Sequence, residues 1–170
     1  MRRKLTWLML LSAAIVVTAL HYVRKVHATP SQGFTSTTLA LGSIGEIDVS
    51  NDFISDKGKI WLSSQNTKGK SDLYVQSNVW DPGGDTGWHS HPGHSLIVVT
   101  AGTVTGYEGH DPNCKPHVYT TGMSFVDPGG SHVHILRNEG TVQATTIAVQ
   151  LIPAGQPRRI DAPDPGYCHF

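Results

Sequence analysis

The chain breaks into short runs of apolar or alternating residues separated by glycine, proline and polar turns. "KSDLYVQSNVW" (Lys70–Trp80) is the clearest run. Leu73, Val75, Ser77 and Val79 share one face, and Tyr74, Gln76, Asn78 and Trp80 take the other, which is the two-residue period of an extended strand. "TTLALG", "GEIDVS" and "KIWLSS" come before it. "SLIVVTAGTVTGY" reads as two strands broken near Ala101 and Gly102. "HVYTTGMSFVDPGG", "HVHILRN" and "TVQATTIAVQLI" follow, with "GHDPNCKPH" as a loop. No segment after residue 28 sustains a helical period. About ten short strands with close turn signals predict an all-β sandwich or barrel. The pattern places the barrel over 38–153. A small, polar, aperiodic linker is expected over 29–37 and an irregular, proline-rich tail over 154–170, draped on the surface.

The first 28 residues differ in kind. "MRRK" is a positive stretch and Leu5–Leu20 an apolar one, and Val26 and Ala28 supply small residues for cleavage before Thr29. This reads as a signal peptide. If it stays uncleaved, residues 5–23 make a helical membrane anchor, close to the ~20 residues a span needs. Both readings place the body outside the cytoplasm, periplasmic, secreted or membrane-anchored. Cys114 and Cys168 then meet an oxidising compartment. They are candidates for a disulfide tying the tail to a loop, the alternative being two free thiols.

Composition sharpens this picture at two points. The 170 residues fit one domain, and only 15% are charged, with Gly 18 and Pro 10, as suits a turn-rich β protein. The formal net charge of +0 hides an asymmetry. Five of the 13 basic residues (Arg2, Arg3, Lys4, Arg24, Lys25) precede residue 29 and none of the 13 acidic residues does, leaving 8 basic against 13 acidic in the body. A body of that charge with no basic cluster lacks the footprint of nucleic-acid binding.

The candidate chemistry is histidine. "GWHSHPGHSLIVVT" carries His89 and His91 at i, i+2 spacing, which projects both imidazoles to one side of a strand. "DPGGSHVHILRN" repeats the spacing with His132 and His134 after a glycine-rich turn. Two such strands facing each other in one barrel converge several imidazoles, ligands that suit Zn, Cu, Fe and Ni. There is no Ser-His-Asp order, no phosphate-binding glycine loop and no pair of carboxylates for glycoside chemistry.

These two segments resemble the paired motifs of the cupin superfamily. Gly83, His89, His91 and Gly102 fall on the spacing of the first motif, with Ser95 where the family carries a glutamate. Gly122, Pro128, Gly130, His134 and Asn138 fall on the second, with one extra residue between Gly130 and His134. The resemblance covers about residues 72–152. It implies a double-stranded β-helix, a small jelly-roll barrel, holding one divalent metal ion (Fe, Mn, Zn or Ni) through His89, His91 and His134. It also implies a small-molecule ligand and pairing as a homodimer.

Ser95 is a poor substitute for a carboxylate and leaves a coordination position free. Three-histidine sites with open positions still work, as in zinc hydration chemistry. The family's thiol and diketone dioxygenases are similar in holding iron without the glutamate. The resemblance thus implies O₂-dependent oxidation of a small organic molecule, or else a non-catalytic binding module. His94, Ser95 and His132 are additional candidates for the ligand set; if the extra residue is a bulge, His132 and His134 exchange roles. Tyr107, Glu108, His117 and Tyr119 are candidates for a barrel mouth. Asp127 reads as a turn cap before Pro128, Asn138 as an orienting partner, and Trp80 and Trp88 as packing. No residue is assigned a catalytic role.

Overall fold

The computed structural model describes residues 28–170 as twelve β-strands with no helix. The expected signal or anchor segment lies outside the described residues. The longest strand, β4 (Ser71–Asp85), is the hub: β1 (Gln32–Ile44) pairs antiparallel with one edge and β11 (Ala144–Pro153) with the other. β6 (Ser95–Ala101) adds to β11, and β9 (Ser124–Asp127) adds to β6. At the far end of β4, Asp85 pairs with Arg137 of β10 (His134–Arg137). β10 lies between β5 (His89–Ser90) and β7 (Thr103–Glu108); β8 (His117–Thr120) continues from β7 and β12 (Ile160–Asp161) from β5. The ten strands curl into a nearly closed barrel. β2 (Asp48–Ile54) and β3 (Ile60–Asn66) form a separate hairpin.

The alternation of β4 turns its polar face inward. Gln76, Asn78 and Trp80 are buried, whereas Leu73, Val75, Ser77 and Val79 are half-buried on the outside. The interior tolerates the amides because they are paired. Ser36 Oγ donates to Gln76 Oε1 (3.1 Å), Gln76 Nε2 to Gln150 Oε1 (3.5 Å) and Asn78 Nδ2 to Thr146 Oγ1 (3.2 Å), as buried polar groups require. Apolar packing closes the two sides. Trp80, Val104, Leu136 and Ala144 form one cluster with Phe34, and Trp88, Tyr107, Ile135, Ala162 and Cys168 form the other.

Two glycines fix the turns that aim the strands. Gly102, between β6 and β7, has φ +71°, and a Cβ there would meet Gln143 O at 2.7 Å. Gly129, with φ +70°, leads toward β10, and a Cβ there would lie 2.2 Å from Gly93 O. Both positions exclude a side chain on conformation and on space. The Gly129–Gly93 approach locks the two histidine-bearing turns together.

Two expectations need correction. Residues 32–37, read as linker, are the first half of β1, with Phe34 opposite Trp80 and Thr37 opposite Ser77. Their Ser/Thr-rich pattern carries no apolar alternation, and the partner strand supplies the pairing. The tail over 154–170 is irregular but integral. β12 pairs with β5, Ala162 N donates to Trp88 O (2.9 Å), and Arg137 stacks on the Phe170 ring at 3.9 Å.

Cys114 and Cys168 form a disulfide across 54 residues of sequence, anchoring the tail end against the loop after β7. Replacing both cysteines by serine is expected to lower unfolding stability by ~2–4 kcal/mol, read as a shift of the guanidinium midpoint. An unchanged midpoint would mean that the tail is held by its other contacts alone.

Candidate metal centre

Strand register assembles the histidines. His134 opens β10 and lies directly opposite His89 of β5 in the antiparallel ladder, so their side chains leave the same face. His91 lies two residues beyond His89 and shares that face. The ring centroids are 4.4 Å apart for His89 and His134, 4.8 Å for His89 and His91, and 5.5 Å for His91 and His134. One ring nitrogen from each lies within 4.8 Å of the others. They form one wall of a cavity of about 90 Å³ inside the barrel, lined also by Trp80, Asn78, Thr146 and Gln150.

Each ring is oriented by a backbone carbonyl. His89 Nδ1 contacts Gly87 O at 2.9 Å, His91 Nδ1 contacts Arg158 O at 2.5 Å, and His134 Nδ1 contacts His132 O at 3.4 Å. A carbonyl only accepts, so each Nδ1 carries the proton and donates. Each neutral ring then keeps its lone pair on Nε2, free for another partner. Burial reinforces neutrality. Desolvation is the largest cause holding His89 well below its ordinary value of 6.5, and it also lowers His91. His134 is lowered to about 4, again chiefly by burial, against the opposing pull of Asp127. Neutral imidazoles with orienting carbonyls are what a metal requires of histidine.

The other candidates divide. Ser95 is buried on β6 and lines the same cavity. His94 lies elsewhere: it lines a second cavity with Lys68, Lys70 and Pro153, because the Pro92–Gly93 turn breaks the strand parity after His91. His132 is in the turn before β10, its Nε2 paired with Glu108. The extra residue puts His134 opposite His89, and His132 pairs with Glu108 of β7 while keeping a ring nitrogen within 4.8 Å of ligand atoms of Asp127 and His134. Glu108, His110 and His132 form a more exposed cluster. His117 and Tyr119 line a cavity of about 30 Å³ beyond His134. Tyr107 donates to Glu139 (2.8 Å), and its hydroxyl is pushed up to about 12 by burial and that bond. Asn138, 1% exposed, serves the backbone: its Nδ2 donates to Trp80 O, Asp81 O and Val142 O, and its Oδ1 accepts from Gly140 N. It orients the turn after β10 rather than an imidazole. Trp88 packs in the core, and Trp80 both packs and lines the cavity.

Two contributors to the site were not legible in the sequence. Arg158 orients His91 through its main-chain carbonyl, which any residue possesses. Asp127 does cap its turn, accepting from Gly129 N through Oδ1 at 2.9 Å. Its other oxygen, Oδ2, faces the histidines, 3.3 Å from His91 Nε2 and 3.8 Å from His134 Nε2.

No curated protein matches the chain. Among solved structures, an uncharacterized Klebsiella pneumoniae protein with a double-stranded β-helix domain is similar at 20% identity and TM-score 0.45, over 53% of this chain and 74% of that one. An oxalate oxidase in complex with glycolate is similar at 21% identity and TM-score 0.44, over 69% of this chain and 50% of that one. A predicted oxalate decarboxylase from Thermotoga maritima is similar at 18% identity and TM-score 0.40, over 50% and 83%. Residues 79–150 match the family described as Cupin domain, the span that contains both histidine motifs and the barrel strands that aim them.

Proposed function

We propose that this cupin binds one divalent metal ion through Nε2 of His89, His91 and His134 and presents it to a small organic ligand inside the barrel. One observation carries the reading: three imidazoles, two buried and one half-buried, engage carbonyls through Nδ1 and each place a ring nitrogen within 4.8 Å of the others. Neutral imidazole nitrogens gathered this closely in a largely buried site call for a cation between them. The donor set fits Fe, Mn, Zn or Ni alike, and the identity of the ion is for measurement to decide.

The cavity supports a small polar ligand. Its volume of about 90 Å³ is far below the ~300–1,000 Å³ of drug-sized sites. Trp80, which lines it, has its buried Nε1–H without a partner among the described residues, a donor ready for a ligand oxygen. Arg158 and Arg159 stand at the same cavity and favour a ligand with negative charge. A metal bound there would supply Lewis acidity and open positions for a bidentate ligand and O₂. The reaction that reading supports is O₂-dependent oxidation. A second reading, a non-catalytic binding module, is favoured by the closed amide network of Gln76, Gln150, Asn78 and Thr146, whose side chains are paired with one another. The Cys114–Cys168 bond supports placement outside the cytoplasm.

Elemental analysis of gently purified protein tests the binding claim, with about one ion per chain expected and His89→Ala expected to lose it. Retention of the ion in that variant would rule out the assignment. O₂ uptake across a panel of small hydroxy and keto acids, abolished by His134→Ala, separates catalysis from simple binding; no uptake across the panel favours the binding module.

The lowered histidine pKa values give a pH dependence with a definite sign. Between the folded value of about 4 for His134 and its ordinary 6.5, the unfolded chain binds the proton and the folded chain does not. Stability of chelator-treated protein should therefore be fully present above about pH 7 and fall as pH drops through this window. His134→Gln should flatten that slope in thermal unfolding. A slope identical in the two proteins would show that His134 is not buried neutral.

A further inference from the structure

The family's glutamate is missing from the first motif, but the site still has a carboxylate. Ser95 of β6 is register-paired with Asp127 of β9, so the two side chains leave adjacent strands on the same face of the barrel. Asp127 is 5% exposed, and its Oδ2 is buried with no hydrogen-bond partner among the described residues. That oxygen lies 3.3 Å from His91 Nε2 and 3.8 Å from His134 Nε2. Its Oδ1 is engaged elsewhere, accepting from Gly129 N at 2.9 Å, with His132 Nδ1 at 3.7 Å.

The chemistry of these contacts is specific. Nδ1 of His91 is committed as a donor to Arg158 O, so its Nε2 is an acceptor. An ionised carboxylate oxygen is also only an acceptor. Two acceptors held at 3.3 Å in a buried site repel unless a positive charge stands between them. Two donors on a shared ion at ~2.0–2.2 Å from each lie ~3.0–3.5 Å apart, which matches the His91–Asp127 separation. The other oxygen is pinned by the turn, so the carboxylate is held in place before any ion arrives.

We propose that Asp127 is the fourth ligand of this site, a carboxylate moved across the β6–β9 pairing from the position that Ser95 has vacated. This rests on the metal reading of His89, His91 and His134. It replaces an expected open, all-histidine set with three imidazoles and one carboxylate. The site regains the negative charge that the serine removes. Asp127 arises from the second motif rather than the first, so the metal ties β9 to β5 and β10.

Cobalt(II) is the probe, because its d–d bands report donor set and coordination number while titration reports affinity. Asp127→Asn retains an oxygen to cap Gly129 N and is nearly isosteric. It is expected to weaken cobalt binding by more than about a hundredfold, beyond the ~10–100-fold of an indirect partner, and to alter the d–d bands. The double variant Asp127→Asn/Ser95→Glu, which returns the carboxylate to β6, should recover at least tenfold of the loss. An unchanged d–d spectrum in Asp127→Asn, with cobalt bound, overturns the Asp127 assignment and leaves the three-histidine site standing. Wild-type protein that takes up no cobalt overturns both. Circular dichroism of each variant confirms that the barrel is intact.

Discussion

The site depends on one backbone constraint, the antiparallel pairing that sets His134 opposite His89. The two histidine motifs are more than 40 residues apart in sequence, and only this rung makes their imidazoles neighbours. The rung is held from both sides. Gly129 packs backbone to backbone against Gly93, and β7 continues the ladder beyond β10. β12 closes the outer edge of β5. A one-residue slip would turn the histidines away from the cavity, and in this chain the insertion of one residue before His134 is absorbed in the turn instead.

The burial that makes the site also sets its chemistry. Desolvation keeps the imidazoles neutral, and three carbonyls fix which nitrogen bears the proton. The carbonyls come from separate segments: Gly87 precedes β5, His132 precedes β10, and Arg158 belongs to the tail. Tail and barrel are therefore energetically linked through His91, and the Cys114–Cys168 bond bears on the centre as well as on stability. The amides around it are paired with one another, whereas among the described residues Trp80 Nε1, Asp127 Oδ2, His132 Nδ1, Glu108 Oε2 and Arg137 Nε are buried without hydrogen-bond partners.

Much of this was legible from pattern. The alternation of Lys70–Trp80 and the break at Gly102 predicted the all-β barrel, and the paired H-x-H segments brought four histidines forward; the resemblance to the cupin motifs singled out His89, His91 and His134 among them. What was hidden has a physical cause in each case. β1 begins in a stretch with no apolar alternation and is specified by its partner. His94 follows a Pro-Gly turn, where parity no longer says which way a side chain points. Arg158 acts through its main chain and leaves no mark in residue type. Asp127 carried a turn signal that was correct for one of its oxygens, while the other acts across a strand pairing that no local window contains.

The most direct measurement of the central claim is anomalous diffraction from crystals of the protein loaded with zinc. A single strong peak about 2.0–2.2 Å from the Nε2 atoms of His89, His91 and His134 is the result that follows from the geometry. Zinc bound only at surface histidines, with no peak between these three rings, would contradict it.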